Sequence, residues 1–140
     1  MKKYKVGYTT GVFDLFHVGH LNILKKSKNL CDFLIVGVTI DELVSYKNKE
    51  AYIPFQDRME IVKAIRYVDK VVPQETMDKM AAYEKYKFNV IFVGSDWKGT
   101  DKWNKLEREF NSIGVDIVYF DYTQKVSSTL IRQKLSQRND

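Results

Sequence analysis

Two histidines stand three residues apart at the end of the segment Gly11 to His20, and the chain contains no others. The segment reads Gly-Val-Phe-Asp-Leu-Phe-His-Val-Gly-His. Imidazole rings at this spacing lie on one face of a helix, and the first helical turn exposes backbone N–H groups and a partial positive charge that bind anions. A glycine between the rings leaves room for a phosphate beside the backbone. His17, Gly19 and His20 are therefore predicted to bind phosphate.

The flanking residues predict that this segment connects a strand to a helix. Tyr4 to Thr10 is short and rich in β-branched and aromatic residues, which is typical of a strand. Leu21, Leu24 and a run of lysines ending at Lys28 follow with helical spacing. The two histidines are therefore predicted to lie at the N-terminal end of a helix.

Strands alternate with helices along the rest of the chain, which is the pattern of an α/β domain with a parallel sheet. We therefore predict a Rossmann-like, three-layer α/β/α fold with a five-stranded parallel sheet, formed by residues 1–140 as one domain. The predicted strands span residues 4–10, 32–39, 68–72, 89–93 and 115–120. Helices are predicted after the histidines, over 54–66, 75–86 and 101–110, and from residue 130, with a loop over 41–53.

Two further polar clusters follow predicted strands. Gly94 to Gly99 comes after the fourth strand, and Tyr122 to Thr129 comes after the fifth. Because open parallel sheets bind ligands beyond the carboxyl ends of their strands, both clusters are expected to share a pocket with the histidine segment. The second cluster ends in Ser127, Ser128 and Thr129, whose hydroxyls at a predicted helix start offer another site for phosphate oxygens.

Composition narrows the classes of function. The single cysteine, Cys31, excludes an internal disulfide and a multi-cysteine metal site. No apolar run approaches the roughly 20 residues of a membrane span, and no signal-type segment is visible, so we expect a cytoplasmic protein without a membrane partner. The net charge of +5 suits an anionic partner, and the dispersed lysines favour a phosphate pocket over a nucleic-acid surface.

The segment Gly11 to His20 resembles the H-x-G-H signature of the nucleotidyltransferase superfamily, and its Gly-Val-Phe-Asp opening is similar to the cytidylyltransferase branch. The resemblance covers nearly the whole chain and is strongest to glycerol-3-phosphate cytidylyltransferases. It implies that His17 and His20 bind the triphosphate of CTP and stabilise the pentavalent α-phosphorus as pyrophosphate leaves. It also implies Mg²⁺ as cofactor, a small alcohol phosphate as second substrate, a homodimer, and a role in making teichoic acid or capsule precursors.

The same resemblance assigns roles to further residues. Gly94-Ser95-Asp96-Trp97 resembles a G-D-D-W segment of that family, which implies that Asp96 lies near the nucleotide or its metal and Trp97 near the base. The residues implied to be catalytic are His17, His20, Lys47 and Asp14. Those implied to bind the nucleotide are Thr10, Gly11, Phe13, Gly19, Gly94, Asp96, Trp97, Thr123, Ser127, Ser128 and Thr129. Those implied to bind the phosphate substrate are Lys49, Arg58 and Arg66, and the implied metal ligands are Asp14 and Asp96.

Two parts of this interpretation leave alternatives open. Asp14 is equally compatible with bracing its turn through the backbone and with arranging Mg²⁺ or the attacking phosphate. Tyr122 and Lys125 stand where the family has a phosphate-binding arginine and a glycine. The acceptor or the details of phosphate binding are therefore expected to differ from those of the family.

These features predict an enzyme that transfers CMP from CTP to a small alcohol phosphate, with glycerol 3-phosphate as the first candidate. The alternatives are another polyol phosphate, phosphocholine or phosphoethanolamine as acceptor, an ATP-dependent adenylyltransferase, and a nucleotide-binding regulator without turnover. A nucleic-acid-binding module would instead show strong salt dependence and no pyrophosphate release.

Overall fold

The computed structural model describes residues 2–45, 51–121 and 128–137. Its strands are β1 (Tyr4–Gly11), β2 (Cys31–Thr39), β3 (Lys70–Gln74), β4 (Val90–Gly94) and β5 (Asp116–Phe120). Its helices are α1 (Val18–Leu30), α2 (Asp41–Ser45), α3 (Phe55–Lys63), α4 (Lys79–Tyr86), α5 (Asp101–Ser112) and α6 (Ser128–Gln137). A 3-10 turn over Ser95–Trp97 follows β4.

The five strands form one parallel sheet in the order β3-β2-β1-β4-β5. From β1 the chain moves outward to β2 and β3, and α4 then returns it to β4 on the other side of β1. The strand order therefore reverses between β1 and β4, which is where such sheets bind ligands. The predicted five-stranded parallel sheet is confirmed.

Apolar side chains cover both faces of the sheet. On one face, Leu24 of α1 and Val62 of α3 are fully buried in a cluster with Val36 of β2. On the other face, Phe110 of α5 is fully buried in a cluster with Tyr8 of β1, and partly buried residues of α4 pack against it. Helices on both faces give the three-layer α/β/α arrangement that the sequence pattern predicts.

Two of the differences from the predicted helices lie between β2 and β4. The loop predicted over 41–53 begins instead with α2, whose first turn carries Asp41 and Glu42, where carboxylates offset the helix dipole. α4 begins at Lys79, four residues later than predicted, because the side chain of Asp78 accepts hydrogen bonds from two backbone N–H groups of the first turn. The start of this helix is therefore fixed by its cap.

The elements around β3 also differ from the prediction. α3 ends at Lys63, so Arg66 lies beyond the helix. Pro73 is predicted to end the third strand, but it lies within β3. β3 is the edge strand, where a proline is tolerated because one side of the strand needs no N–H donors.

Within the described ranges, no helix is long and apolar enough to cross a membrane.

Candidate active site

The segment between β1 and α1 turns sharply at the carboxyl end of β1. Phe13 and Leu15 have φ values of 55° and 50°, a region that bulky side chains rarely adopt. The ring of Phe13 is buried, and a Cβ added to Gly11 would meet two of its atoms at 3.0 Å. Glycine at position 11 therefore lets this ring fold back onto the end of the strand.

The two histidines cap α1 reciprocally. Nδ1 of His17 accepts a hydrogen bond from the backbone N–H of Gly19 at 3.0 Å. Nδ1 of His20 accepts from the backbone N–H of His17 at 3.2 Å, which completes a capping box. Two backbone N–H groups at the helix start thus hold the orientation of both rings.

The imidazole rings stack on each other with 4.0 Å between centroids and 27° between planes. Because each Nδ1 accepts a backbone hydrogen bond, the hydrogen of each neutral ring lies on Nε2. Burial lowers the pKa of His17, since desolvation disfavours its charged form. The pair is therefore oriented to donate hydrogen bonds from Nε2, and burial favours the neutral form of His17.

Asp14 joins this turn to a distant segment. Its carboxylate is 1% exposed, and its two oxygens accept hydrogen bonds from the backbone N–H groups of Tyr52 and Ile53, each at 2.9 Å. These two residues come directly before α3, close in sequence to Lys47 and Lys49. Asp14 therefore braces the histidine turn against another segment of the chain.

Arg58 is predicted to bind substrate phosphate, but the structure gives it a different position. The side chain is fully buried in the first turns of α3. It donates hydrogen bonds to the backbone carbonyls of Val12, Thr39 and Ile53 at 2.7–2.9 Å. A further bond pairs it with the carboxylate of Asp41. Arg58 therefore ties the histidine turn to the ends of neighbouring segments, and this correction makes it a positioning residue.

Arg66 is also predicted to bind substrate phosphate, but it lies at the opposite end of the sheet. It follows α3, which runs back from the carboxyl ends of the strands, and it precedes the first residue of β3. The side chain is exposed, with its guanidinium carbon 5.3 Å from the centre of the Tyr67 ring. Within the described chain, the structure therefore does not bring Arg66 to the histidine turn.

The second predicted cluster lies where the sequence places it, at the end of the strand next to β1. Gly94 ends β4, and the 3-10 turn after it carries Asp96 and Trp97. Both side chains are exposed, and Trp97 is 46% accessible. The first two clusters therefore flank the point at which the strand order reverses.

The third cluster is described only at its end. Ser128 is the first residue of α6 and Thr129 lies in its first turn, so the helix begins two residues earlier than predicted. The placement of their side chains is outside the described part. The remaining site predictions that fall outside the described residues are Lys47, Lys49, Thr123 and Ser127, together with the two departures Tyr122 and Lys125.

The predicted Mg²⁺ ligands differ in their fit to a metal. Nucleotide-bound Mg²⁺ is usually held by one or two carboxylates together with phosphate oxygens, and not by a cage of protein ligands. Asp96 is an exposed carboxylate beside the reversal point and fits this role. Asp14 fits it less well because its carboxylate is buried and engaged with backbone N–H groups. No group of three or more His, Cys, Asp or Glu suited to a metal exists among residues 2–45, 51–121 and 128–137.

Sequence reasoning missed Lys79. Its Nζ lies 3.0 Å from Oγ1 of Thr10, the residue before Gly11. The contact spans 69 positions of sequence, and no motif marks it. The available signal is topological, because a helix that follows a parallel strand begins at the carboxyl edge of the sheet.

Comparison with known proteins identifies the family. The model of the family described as cytidylyltransferase-like matches residues 8–134. The chain belongs to this family. Within the larger nucleotidyltransferase superfamily, this membership agrees with the Rossmann-like sheet and with the histidine turn at its reversal point.

Relatives with two different activities in their names are similar to the chain. The glycerol-3-phosphate cytidylyltransferase of Staphylococcus aureus (strain NCTC 8325 / PS 47) is 33% identical over 128 residues, which cover 91% of this chain and 92% of that protein. The FAD synthase of Pyrococcus abyssi (strain GE5 / Orsay) is 40% identical over 119 residues, which cover 82% of this chain and 79% of that protein. The two names differ in the substrates that they imply, so membership of the family does not fix the substrate.

A solved structure has the same fold over most of the chain. The crystal structure of the lipopolysaccharide core biosynthesis protein from Thermoplasma volcanium GSS1 matches with a TM-score of 0.72 and 26% identity. The match covers 88% of this chain and 99% of that one. This similarity agrees with the Rossmann-like architecture described above.

Proposed function

We propose that the protein transfers CMP from CTP to the phosphate of a small alcohol phosphate, with glycerol 3-phosphate as the first candidate. The observation that carries the proposal is the pair of imidazoles whose Nδ1 atoms accept backbone hydrogen bonds at the N-terminus of α1, at the reversal point of the sheet. Similarity to glycerol-3-phosphate cytidylyltransferase over 91% of the chain supports this choice of substrates.

In this reaction, an oxygen of the acceptor phosphate attacks the α-phosphorus of CTP. The bond from that phosphorus to the oxygen bridging to the β-phosphate breaks, and pyrophosphate leaves with the electron pair. Negative charge builds on the phosphate oxygens as the bond breaks, and the Nε2–H groups of His17 and His20 donate hydrogen bonds to them. The backbone N–H groups and dipole of α1 act on the same oxygens.

The chain's own residues supply positioning and no covalent intermediate. Asp14 and Arg58 hold the histidine turn against the segment at residues 52–53 and the end of β2, which keeps both imidazoles in place before substrate arrives. Asp96 would hold Mg²⁺ together with phosphate oxygens, and the metal would supply charge neutralisation. Lys47 and Lys49 complete the proposed site as cations.

A second candidate is nucleotidyl transfer from ATP. It is favoured by the similarity to FAD synthase, since FAD contains adenine and that relative is 40% identical. The loop at Asp96 and Trp97 would decide between the bases, because it lies at the end of β4 beside the histidine turn. We further propose that the protein works as a homodimer, which light scattering would test.

The test is pyrophosphate release with Mg²⁺, with CTP and ATP each paired with a panel of alcohol phosphates. We expect turnover with CTP and glycerol 3-phosphate, and none when the acceptor is omitted. If CTP is turned over only with another alcohol phosphate, the proposed reaction stands and that compound is its acceptor. Turnover with ATP alone would establish the second candidate, and binding of CTP without turnover across the panel would indicate a regulator.

A further inference from the structure

Leu15 has a strained backbone in the middle of the histidine turn. Asp14 and Leu15 form the bend between β1 and α1, and Leu15 has a φ value of 50°. Glycine or asparagine is normally found in this left-handed region, because the Cβ of other residues comes too close to the following carbonyl oxygen. For stability alone, leucine is therefore an unfavourable residue at this position.

The side chain of Leu15 does not offset the strain in the way that the side chain of Phe13 does. Phe13 has a similar backbone, with a φ value of 55°, but its ring is buried in the apolar cluster on the α1 face of the sheet. Leu15 is half-buried, and it is not among the described residues that form or contact the two apolar clusters. Its conformation is therefore imposed by the neighbouring residues and not by its own packing.

The chain is anchored on both sides of Leu15. Before it, the carboxylate of Asp14 accepts hydrogen bonds from the backbone N–H groups of residues 52 and 53, each at 2.9 Å. After it, the backbone N–H of His17 donates to Nδ1 of His20 at 3.2 Å. Only two residues separate Asp14 from His17, so the direction in which the chain leaves the bend decides where the His17 ring lies.

A side chain at position 15 also narrows the conformations that are open to this link. A residue with a Cβ is confined to a small left-handed region near a φ of about 60°, whereas glycine spreads over a broad range of positive φ. Leu15 can therefore move little while the bonds of Asp14 hold the bend. Strain of this kind occurs mainly at functional sites, where the surrounding structure maintains it.

We propose that Leu15 is a positioning residue whose strained backbone holds the histidine pair in one orientation, at a cost to the stability of the fold. This inference rests on the nucleotidyl transfer proposed above. In that reaction, the Nε2–H groups of His17 and His20 point at oxygens whose charge grows in the transition state, and small displacements of such donors lower the rate. Relief of the strain therefore lowers kcat although it raises stability, a combination that a merely structural role does not produce.

Two variants separate the backbone of position 15 from its side chain. Leu15→Gly and Leu15→Ala both remove the leucine side chain, but only alanine retains the Cβ. The midpoint of thermal unfolding of Leu15→Gly should lie about 2–4 °C above that of Leu15→Ala, because glycine adopts the left-handed conformation without strain. The kcat of Leu15→Gly should nevertheless be about tenfold lower than that of Leu15→Ala, and the KM of each substrate should differ by less than about threefold.

Lys87 is the matched control, because it has the same backbone conformation away from the site. Its φ value is 52°, and it is the exposed C-cap of α4, just before β4 begins at the amino edge of the sheet. Lys87→Gly should unfold at a higher temperature than Lys87→Ala by a similar amount, and both should keep the wild-type kcat. Relief of strain as such would then have no effect on the rate.

Amide hydrogen exchange provides a measurement that does not depend on turnover. The backbone N–H groups of His17 and Gly19 donate to the two imidazoles, so loosening of the turn should expose them to solvent. Exchange of these two amides should be about tenfold faster in Leu15→Gly than in Leu15→Ala. Neither Lys87 variant should change it.

The outcomes distinguish this inference from the proposed function. Equal unfolding midpoints of Leu15→Gly and Leu15→Ala would mean that position 15 is not strained. Equal kcat values, or equal exchange of the two amides, would mean that the strain does not hold the histidines for the reaction. If the wild type turns over no pair of substrates but exchange is still faster in Leu15→Gly, Leu15 holds the histidine turn and the proposed reaction is wrong.

Discussion

The two sides of the reversal point are built differently. On the β1 side, the buried side chains of Asp14 and Arg58 join the histidine turn to segments from elsewhere in the chain. On the β4 side, the loop from Gly94 to Gly99 carries exposed side chains, and its backbone bonds join Lys98 to Ser95, three residues apart. The proposed reaction places phosphate chemistry on the first side, whose groups are held in position, and selection of the base on the second, open side.

This difference divides the expected effects of substitution. Changes on the β1 side should alter the rate of reaction or the stability of the fold, because its groups are fixed by many partners. Changes on the β4 side should alter nucleotide affinity and leave stability nearly unchanged. Pairs of matched variants can test both halves of this division.

The largest effect is expected on the rate when His17 is replaced. His17→Asn keeps a side-chain oxygen that can accept the Gly19 N–H and so retains the helix cap, but it removes the Nε2–H donor. Turnover should fall by about 10²–10³-fold, the usual loss for one donor that stabilises transition-state charge. His17→Ala should lose the same activity and also about 1 kcal/mol of stability with the cap.

Steady-state kinetics and urea denaturation of the two variants separate these roles. Equal stability of His17→Asn and the wild type, with activity lost, would support a catalytic donor. Near-normal turnover in either variant would contradict the proposed function of the histidine pair.

The next largest effect is expected on stability when Arg58 is replaced. Arg58→Met removes the donor to the carbonyls of Val12, Thr39 and Ile53 and also removes the ion pair with Asp41. Because an interior carbonyl left without a donor costs about 1–3 kcal/mol, the free energy of unfolding should fall by about 3–5 kcal/mol. Arg66→Met is the matched control, because exposed Arg66 should change stability by less than about 0.5 kcal/mol.

Urea denaturation of both arginine variants is the measurement. If both variants lower the free energy of unfolding equally and only slightly, the buried contacts of Arg58 contribute little to stability. The distinction between a firmly held β1 side and an open β4 side would then lose its structural basis.

These two arginines also show what the sequence can and cannot predict. The parallel sheet and the position of the histidines at a helix start follow from patterns within a few residues, and the capping box found there spans only positions 17–20. The role of Arg58 depends on carbonyls that folding brings from positions 12, 39 and 53. Residue type alone cannot distinguish an arginine that binds phosphate from one that binds backbone, because both use the same donors.

The position of Lys79 was missed for a related reason. Its contact with Thr10 exists because α4 starts at the carboxyl edge of the sheet, on the face of β1 to which Thr10 points. The bounds of α4 depend on the cap at Asp78, and an error of four residues in its start moves a different side chain to the edge. Local patterns therefore predict the motif-bearing half of the site better than the groups that surround it.

A smaller effect is expected on nucleotide affinity when Trp97 is replaced. Trp97→Ala removes an aromatic surface that is 46% exposed beside the reversal point. Stacking of a base on an aromatic ring contributes about 1–3 kcal/mol, so the KM of CTP should rise by about tenfold with stability nearly unchanged. Trp103→Phe is the control, because buried Trp103 should affect stability and leave the KM of CTP unchanged. An unchanged KM in Trp97→Ala would remove Trp97 from the base site.

The smallest effect is expected on stability when the pH is lowered, and it concerns the histidine turn on the β1 side. Burial lowers the pKa of His17 below its ordinary value of 6.5, so the unfolded chain binds the proton first as the pH falls. The stability associated with neutral His17 is complete above pH 6.5 and is lost as the pH falls through the lowered pKa of the folded protein. Protonation of Nδ1 also removes the acceptor of the Gly19 N–H, so acid should loosen the start of α1.

Thermal denaturation between pH 7.5 and pH 5 compares the wild type with His17→Asn. The asparagine variant keeps the cap without a group that titrates in this range, so its stability should fall less on acidification than that of the wild type. Protons on other groups destabilise both proteins alike, and the difference between the two curves therefore isolates position 17. Parallel curves would mean that the neutral state of His17 contributes nothing measurable to the fold, and the preorganisation of the histidine turn would then rest on Asp14 and Arg58.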